Sequence, residues 1–435
     1  MRYRLEAGTL IVPDADGSVI HSGQITWQDH EIVSVGPTDP NAPAVDQVIQ
    51  VPQGIVMPGL YNGHNHAAMT LLRGYADDSP FFEWLQQHIL PAESRLTSDD
   101  IYWGTLLATA EMIRSGTVGF ADMYFEVDAV AEAVTRSGLR GWLSRGLVGN
   151  EDPGLKKLQD SVDWAARWRG RAGGRIVPML GPHAPYTCNP QYLQEVAKAA
   201  QAESLGIHIH LAESPDELRL MQEQYHRTPI ELALESGLLD NRVLIAHGIH
   251  LSDQDLDLLE HQLTGGIISC PVSNAKLGNG ILRLQELQAH HIPVGLGTDG
   301  AASTNSLDMF LEMKAMAWMQ KVRSGEPHRF KARDALEFAT AATASILGFN
   351  GGVLEPGRPA DFIVVDGARS HLTPEWDVVA NLVYAATGAD VSYTVVAGKI
   401  LMAEGIITAF DESEVRREVT ARRGRWRLEG LGRGL

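Results

Sequence analysis

The chain has 435 residues, of which 44% are hydrophobic and 21% charged, a balance that suits a soluble globular protein with room for a large core. Its formal net charge of -18 excludes nucleic acid as the main partner, because phosphate binding needs a basic face, and argues against an anionic membrane surface. The two cysteines, Cys188 and Cys270, exclude a disulfide framework and a cysteine-rich zinc site.

The opening stretch, "MRYRLEAGTLIVPDADG", lacks an apolar segment followed by a small-residue cleavage site, so it does not read as a secretory signal. No run approaches the ~18 apolar residues of a membrane span. A reducing, cytoplasmic setting without a membrane partner is the expectation.

Residues 1–55 contain short β-type runs separated by turn signals such as "DADG" and "PTDPNAP". The same texture returns after residue 350, in "GRPADFIVVDG" and "SYTVVAGKILMAEG". Two β-rich ends around a long middle predict a small β-sandwich built from residues 1–55 and 350–435, with a C-terminal helix and tail. The basic ending "REVTARRGRWRLEGLGRGL" reads as a solvated helix and tail.

Residues 56–349 alternate apolar runs with helical stretches, the α/β pattern of a parallel sheet with crossover helices. The runs are "GIVMPGLYN", "TVGFADMY", "RGWLSRGL", "RIVPMLGPH", "GIHIHLAE", "VLIAHGIH", "GGIISCPVSN" and "IPVGLGTDG". Helices between them have readable ends. Residues 97–116 open on Thr97 as N-cap with Asp100 three positions on and close at Gly116. Residues 189–206 and 306–325 read alike. Met309, Met313, Met316 and Met319 recur at helical spacing and are expected in the core.

Eight strands alternating with helices predict a (β/α)8 TIM barrel, whose functional residues gather at the C-terminal strand ends. That rule brings His64, His66, His183, His210, Glu213, His247 and Asp299 to one mouth, with Arg145 near the end of strand three. A lone buried histidine is usually structural. Five at the ends of four strands point instead to a metal. Neutral imidazoles with a carboxylate suit Zn2+ or Fe2+, and such an ion lowers the pKa of bound water towards ~7. Spacing alone does not say which histidines bind. Asp122 stands at another strand end.

"GLGTDG", residues 295–300, is a literal G-x-G-x-x-G. A dinucleotide site needs that motif after the first strand of a βαβ unit, with an acid ~20 residues on. Here it follows the eighth strand, and residues 319–323 read "MQKVR". A nicotinamide-dependent oxidoreductase is therefore disfavoured.

The stretches "PGLYNGHNH", "HIHLAES", "LIAHGIHL" and "LGTDGAASTNSLDMFLEMK" resemble the amidohydrolase superfamily. Within it they most resemble the methylthioadenosine/S-adenosylhomocysteine deaminase branch, and the likeness extends to the late "PGRPADFIVVD". The resemblance implies one divalent ion per chain, Zn2+ with Fe2+ as the alternative, held by His64, His66, His210 and Asp299. It implies Glu213 as proton shuttle and His247 as partner of the attacking water rather than a permanent ligand. It also implies that the substrate meets Glu93 at its ribose hydroxyls, His183 and Glu213 at its purine, Asp299 at the reacting carbon, and Arg145 at a carboxylate. A second arginine sometimes follows on the next loop; here "GLKKL" carries Lys156 and Lys157, and lysine binds carboxylate less directionally.

The implied reaction is hydrolytic deamination of the adenine ring of 5-methylthioadenosine, S-adenosylhomocysteine or adenosine, releasing ammonia and an inosyl product. Two alternatives stand beside it. One is an oxopurine or triazine hydrolase on the same barrel. The other is a non-catalytic binding protein, which would be expected to have lost ligands that this chain keeps. Glu93 also reads as a solvated helix-end carboxylate, and Phe81, Phe82 and Trp84 as packing or as a cover over the base. The expected partner is a small-molecule nucleoside, and the expected assembly a homo-oligomer.

Overall fold

Among the described residues, sixteen strands form two eight-stranded sheets, one of which joins segments from both ends of the chain. The computed structural model describes residues 1–12 and 19–428. Four strands come first, β1 (Arg2–Ile11), β2 (Val19–Gln28), β3 (Glu31–Pro37) and β4 (Gln47–Pro58). Eight barrel strands follow: β5 (Leu60–Asn65), β6 (Thr117–Tyr124), β7 (Arg140–Leu147), β8 (Ile176–Pro182), β9 (Gly206–Leu211), β10 (Arg242–His247), β11 (Thr264–Ser269) and β12 (Val294–Leu296). The last are β13 (Phe362–Asp366), β14 (Val391–Val396), β15 (Lys399–Ala403) and β16 (Ile406–Ile407).

β5 to β12 form one parallel sheet in sequence order. Helices cover its outer face, so the strands are buried on both sides and read as continuous apolar runs. All eight residues of β6 are buried. The helix Ser98–Arg114 has the expected N-cap: Thr97 and Asp100 form a reciprocal capping box. The helix Met309–Ser324 is capped by Asp308 rather than by Ser306, where the expected segment opens, and Met309, Met313 and Met316 are in the core.

The first expected run is divided. Its residues up to Pro58 belong to β4 of the terminal sheet, and the barrel strand begins at Leu60. The terminal sheet thus runs past the expected boundary at residue 55. Pro58-Gly59 makes the transfer, and the Gly59 amide bonds to the Asp361 carbonyl at 3.1 Å.

The barrel closes between β12 and β5 through side chains. Thr298 N donates to Asn62 Oδ1 at 2.9 Å, and Asn62 Nδ2 donates to Thr298 Oγ1 at 2.7 Å. Just beyond, the Asp299 amide donates to the His64 carbonyl at 2.9 Å. A Cβ at Gly297 would lie 2.6 Å from His64 N. Gly297 of "GLGTDG" therefore serves close approach at this seam.

The expected sandwich is one eight-stranded sheet folded on itself, in the order β16-β15-β14-β13-β4-β1-β2-β3. Trp27 on β2 and Phe362 on β13 stand three places apart in that order, yet their rings meet edge to face at 5.0 Å. The sheet must curl for them to touch, and it encloses its own apolar core around Leu5, Ile25 and Val364. Asp361 ties this unit to the barrel floor. It accepts from Arg140 (Nε at 2.7 Å, Nη2 at 3.0 Å), from the Tyr61 hydroxyl at 2.9 Å and from the Ala397 amide at 2.7 Å.

The C-terminal helix Glu412–Leu428 faces solvent over much of residues 417–423 but is anchored on the barrel. Val415 is fully buried, and Arg422 packs over Trp103 and pairs with Asp99 on the helix Ser98–Arg114. The expected tail beyond residue 428 lies outside the described residues. Among the described residues, no helix is long and apolar enough to cross a membrane.

Asp361→Ala leaves the buried Arg140 guanidinium without its carboxylate. Loss of one partner of such a pair costs about 3–5 kcal/mol, so the denaturation midpoint of the variant in guanidinium chloride should fall sharply.

Candidate active site

The C-terminal ends of three barrel strands deliver four donor atoms to one point. His64 ends β5, His66 follows it, His210 ends β9, and Asp299 follows β12. Imidazole nitrogens of His64, His66 and His210 all lie within 4.8 Å of one another, and atoms of His64, His247 and Asp299 form a second such group. Asp299 Oδ1 is 3.4 Å from His64 Nε2 and 3.5 Å from His66 Nε2.

Hydrogen bonds fix which nitrogen is free. His66 Nδ1 lies 2.6 Å from the Met123 carbonyl, and His210 Nδ1 lies 2.7 Å from the His183 carbonyl. A carbonyl only accepts, so each Nδ1 carries its proton and each Nε2 is a lone pair. The two Nε2 atoms face each other at 3.3 Å with no donor between them. His64 Nε2 is buried and has no hydrogen-bond partner. Facing lone pairs and an unpartnered buried nitrogen are unfavourable without a cation, and three nitrogens with one carboxylate oxygen suit Zn2+ or Fe2+. The residues fit a metal.

The surroundings divide the work of two carboxylates. Asp299 Oδ2 accepts from Ser273 at 2.6 Å and Ser303 at 2.8 Å. Burial pushes its pKa up, but His64, His66 and His247 outweigh that and hold it well below the usual range. Glu213 is driven the other way, well above the usual range, by burial and then by the charge of Asp299. Asn279 Nδ2 donates to Glu213 Oε1 at 3.1 Å, and His247 Nε2 stands 3.7 Å from the same oxygen. His247 Nδ1 meets Asn274 Oδ1 at 3.0 Å. His247 (φ 70°), Asp299 (φ 64°) and Ala212, the residue before Glu213 (φ 54°), have left-handed backbone, which costs energy and re-aims side chains at the strand ends. Glu217 steadies one of these turns by accepting from the Ala212 amide at 3.2 Å and the Glu213 amide at 2.7 Å.

These groups form the floor of a cavity of about 530 Å³, the size of a small-molecule site. Phe81, Trp84 and Leu85 give it an apolar wall, and Glu93, Tyr124 and His183 are polar points on its lining. Glu93 is 6% exposed, so it is not a solvated helix end; burial, partly offset by the nearby Tyr124 hydroxyl, raises its pKa to about 7. Burial, then the neighbouring His66, lowers His183 to about 4, which leaves a neutral ring at neutral pH. Phe82 stands against Tyr186. A larger cleft, about 890 Å³, lies between the terminal sheet and the helix Ser98–Arg114. It shares no residue with the histidine cavity and carries no set of convergent metal donors.

Arg145 is not brought to this cavity. Gly146 lines the cavity, and the period-two alternation of β7 turns Arg145 to the other face. It lines an adjacent recess with Asp160, Asp163 and Trp164, and Glu126 belongs to both spaces. Lys156 and Lys157 line neither; Lys157 is 3.5 Å from Glu151 on the cavity rim. Asp122 takes no place among the donors and accepts from the Ala67 amide at 2.6 Å. The sequence reading missed His208, Ser273, Asn274, Asn279, Ser303 and Glu217. His208 had a visible clue, since it is two residues before His210 on one strand and so points to the same side.

Fold and donor set together define a barrel hydrolase with a metal-binding centre at the strand ends. The chain matches the model of the amidohydrolase family over residues 55–401 and belongs to that family. It is 46% identical to a 5-methylthioadenosine/S-adenosylhomocysteine deaminase of Moorella thermoacetica over 95% of this chain and 97% of that protein. It is 44% identical to a 5'-deoxyadenosine deaminase of Methanosarcina acetivorans over 93% of this chain and 94% of that one. Among solved structures, an adenosine deaminase from Xanthomonas campestris with bound zinc superposes with a TM-score of 0.93 at 30% identity, covering 98% of each chain.

The raised pKa of Glu93 makes stability fall as pH rises. Between the unfolded carboxylate value and about 7, the folded state keeps a proton that the unfolded state has lost. Glu93→Gln removes this loss. Relative to wild type the variant should therefore be more stable at pH 8 than at pH 5, by at most about 3 kcal/mol, as read by urea unfolding at both pH values.

Proposed function

We propose that this chain hydrolytically deaminates the adenine ring of 5'-substituted adenosines, with 5-methylthioadenosine and S-adenosylhomocysteine as the leading substrates. The observation that carries the reading is the opposed pair Asp299 and Glu213. Two buried carboxylates beside the same metal donors, one with its pKa pushed down and the other with its pKa pushed up, suit a base and an acid for one hydrolytic step. The names of the relatives at 46% and 44% identity support the substrate class.

In this reading His64, His66, His210 and Asp299 hold a divalent ion, zinc in the first instance. Bound there, the ion lowers the pKa of a water molecule towards ~7 and supplies a nucleophile at neutral pH. Asp299 takes the proton of the attacking water as the C6–O bond forms. Glu213 gives its proton to ring N1, so negative charge does not build up on the ring. His247 hydrogen-bonds the attacking oxygen and holds it over C6. The C6–N bond then breaks: the proton taken by Asp299 leaves with the amine as ammonia, the remaining proton of the attacking oxygen returns to Glu213 as the C6 carbonyl forms, and the hypoxanthine product remains. Glu93 meets the ribose hydroxyls and neutral His183 the purine.

The test is ultraviolet absorbance of zinc-loaded protein with methylthioadenosine, S-adenosylhomocysteine, adenosine and adenine side by side. Conversion of the nucleosides with adenine inert is expected. Silence on all four, in protein holding about one metal per chain, would discard the adenosine reading in favour of oxopurines or triazines. Glu213→Gln should keep the metal and lose most turnover, on the order of 10²–10⁴-fold for a lost acid–base group. Glu93→Ala should raise KM for nucleosides more than it lowers kcat.

A further inference from the structure

We infer that His208 is a positioning residue that fixes the tautomer of His64 and so makes His64 Nε2 a metal donor. This rests on the metal reading above. His66 and His210 owe their free Nε2 atoms to main-chain carbonyls, which leave no choice of proton position. His64 has no carbonyl partner. Its Nδ1 lies 2.7 Å from His208 Nε2, and both side chains are fully buried.

A single proton lies between two ring nitrogens. On His64 Nδ1, it leaves His64 Nε2 as a lone pair directed at the donor set. On His208 Nε2, neutral His64 must carry its proton on Nε2 instead, and an N–H then points at the metal position and blocks it. His208 decides between the two. To accept from His64, its own proton must sit on Nδ1, and that atom is buried without a hydrogen-bond partner. No second bond therefore locks His208 in the required form. The two histidines come from β5 and β9, which are first and fifth of eight strands and so opposite each other in the barrel. The contact spans the barrel axis beneath the metal donors. His64 is thus the one imidazole ligand whose donor form is set by a group able to take either form, and its readiness for metal depends on that partner's accepting nitrogen.

Two substitutions separate this role from packing. His208→Phe keeps a ring and removes the acceptor; His208→Gln keeps an amide oxygen able to accept. Both are compared with wild type by thermal unfolding of the metal-free protein, then by competition for zinc against a chromophoric chelator. Partners of metal-bound histidines contribute about 10- to 100-fold in metal affinity. The Phe variant should lose zinc affinity in that range and the Gln variant should recover most of it. In zinc-loaded wild type labelled with 15N-histidine, His64 should carry its proton on Nδ1. Equal affinity in all three proteins, or equal loss in both variants, overturns the inference while the metal reading stands. A proton on His208 Nε2 in the zinc form also overturns it, and decides the matter if the Phe variant does not fold. A wild-type chain that takes up no zinc overturns the metal reading and this inference with it.

Discussion

Asp299 faces His64 and His66 across the seam where the last barrel strand meets the first, and the rest of the site is arranged around that contact. Burial pushes the carboxylate's pKa up, and His64, His66 and His247 outweigh that and draw it down. Its charge adds to the burial that pushes the pKa of Glu213 up. The difference between the two acids is therefore produced by one local field. The seam makes the contact possible: the Asp299 amide is bonded to the His64 carbonyl, and Gly297 allows the two backbones to approach. Closing the barrel and assembling the donor set are one event.

The orientation of each ligand is set a layer further out. Carbonyls of Met123 and His183 hold two rings, two serines hold the second oxygen of Asp299, and asparagines from the segment after β11 hold His247 and Glu213. Such partners leave the reacting groups few degrees of freedom, which is the condition for precise catalysis. The left-handed backbone at His247 and Asp299 belongs to the same design, since it turns the side chains inward where a relaxed strand would carry the chain onward.

The barrel and the donors were legible in the sequence because strand ends are marked twice, by the end of an apolar run and by a histidine or acid. His64, His66, His210, Glu213, His247 and Asp299 all carry that double mark. The supporting groups were not legible. Ser273, Asn274 and Asn279 lie on a connecting segment where no periodicity links them to the side chains they hold, and Glu217 acts on backbone amides of the preceding turn. Arg145 was drawn to the mouth by its place at a strand end, but alternation along β7 sends it to the neighbouring recess. The first apolar run was read as one strand because it is apolar throughout; the transfer from one sheet to the other at Pro58-Gly59 changes direction without changing hydrophobicity.

The folded terminal sheet sets an order on the life of the chain. β4 lies between β1 and β13, and β13 is made some 300 positions after it. During synthesis the edge of β4 waits for a partner until the whole barrel sequence has been translated. Contacts of such long sequence separation form slowly, and an open strand edge in the meantime is exposed to pairing with other chains. A product cut short before residue 361 would keep every proposed metal ligand and still lack the strand that covers that edge and the carboxylate that neutralises Arg140. Completion of the last 75 or so residues thus acts as a quality gate, in which the chain can hold its catalytic end without being able to bury its opposite end.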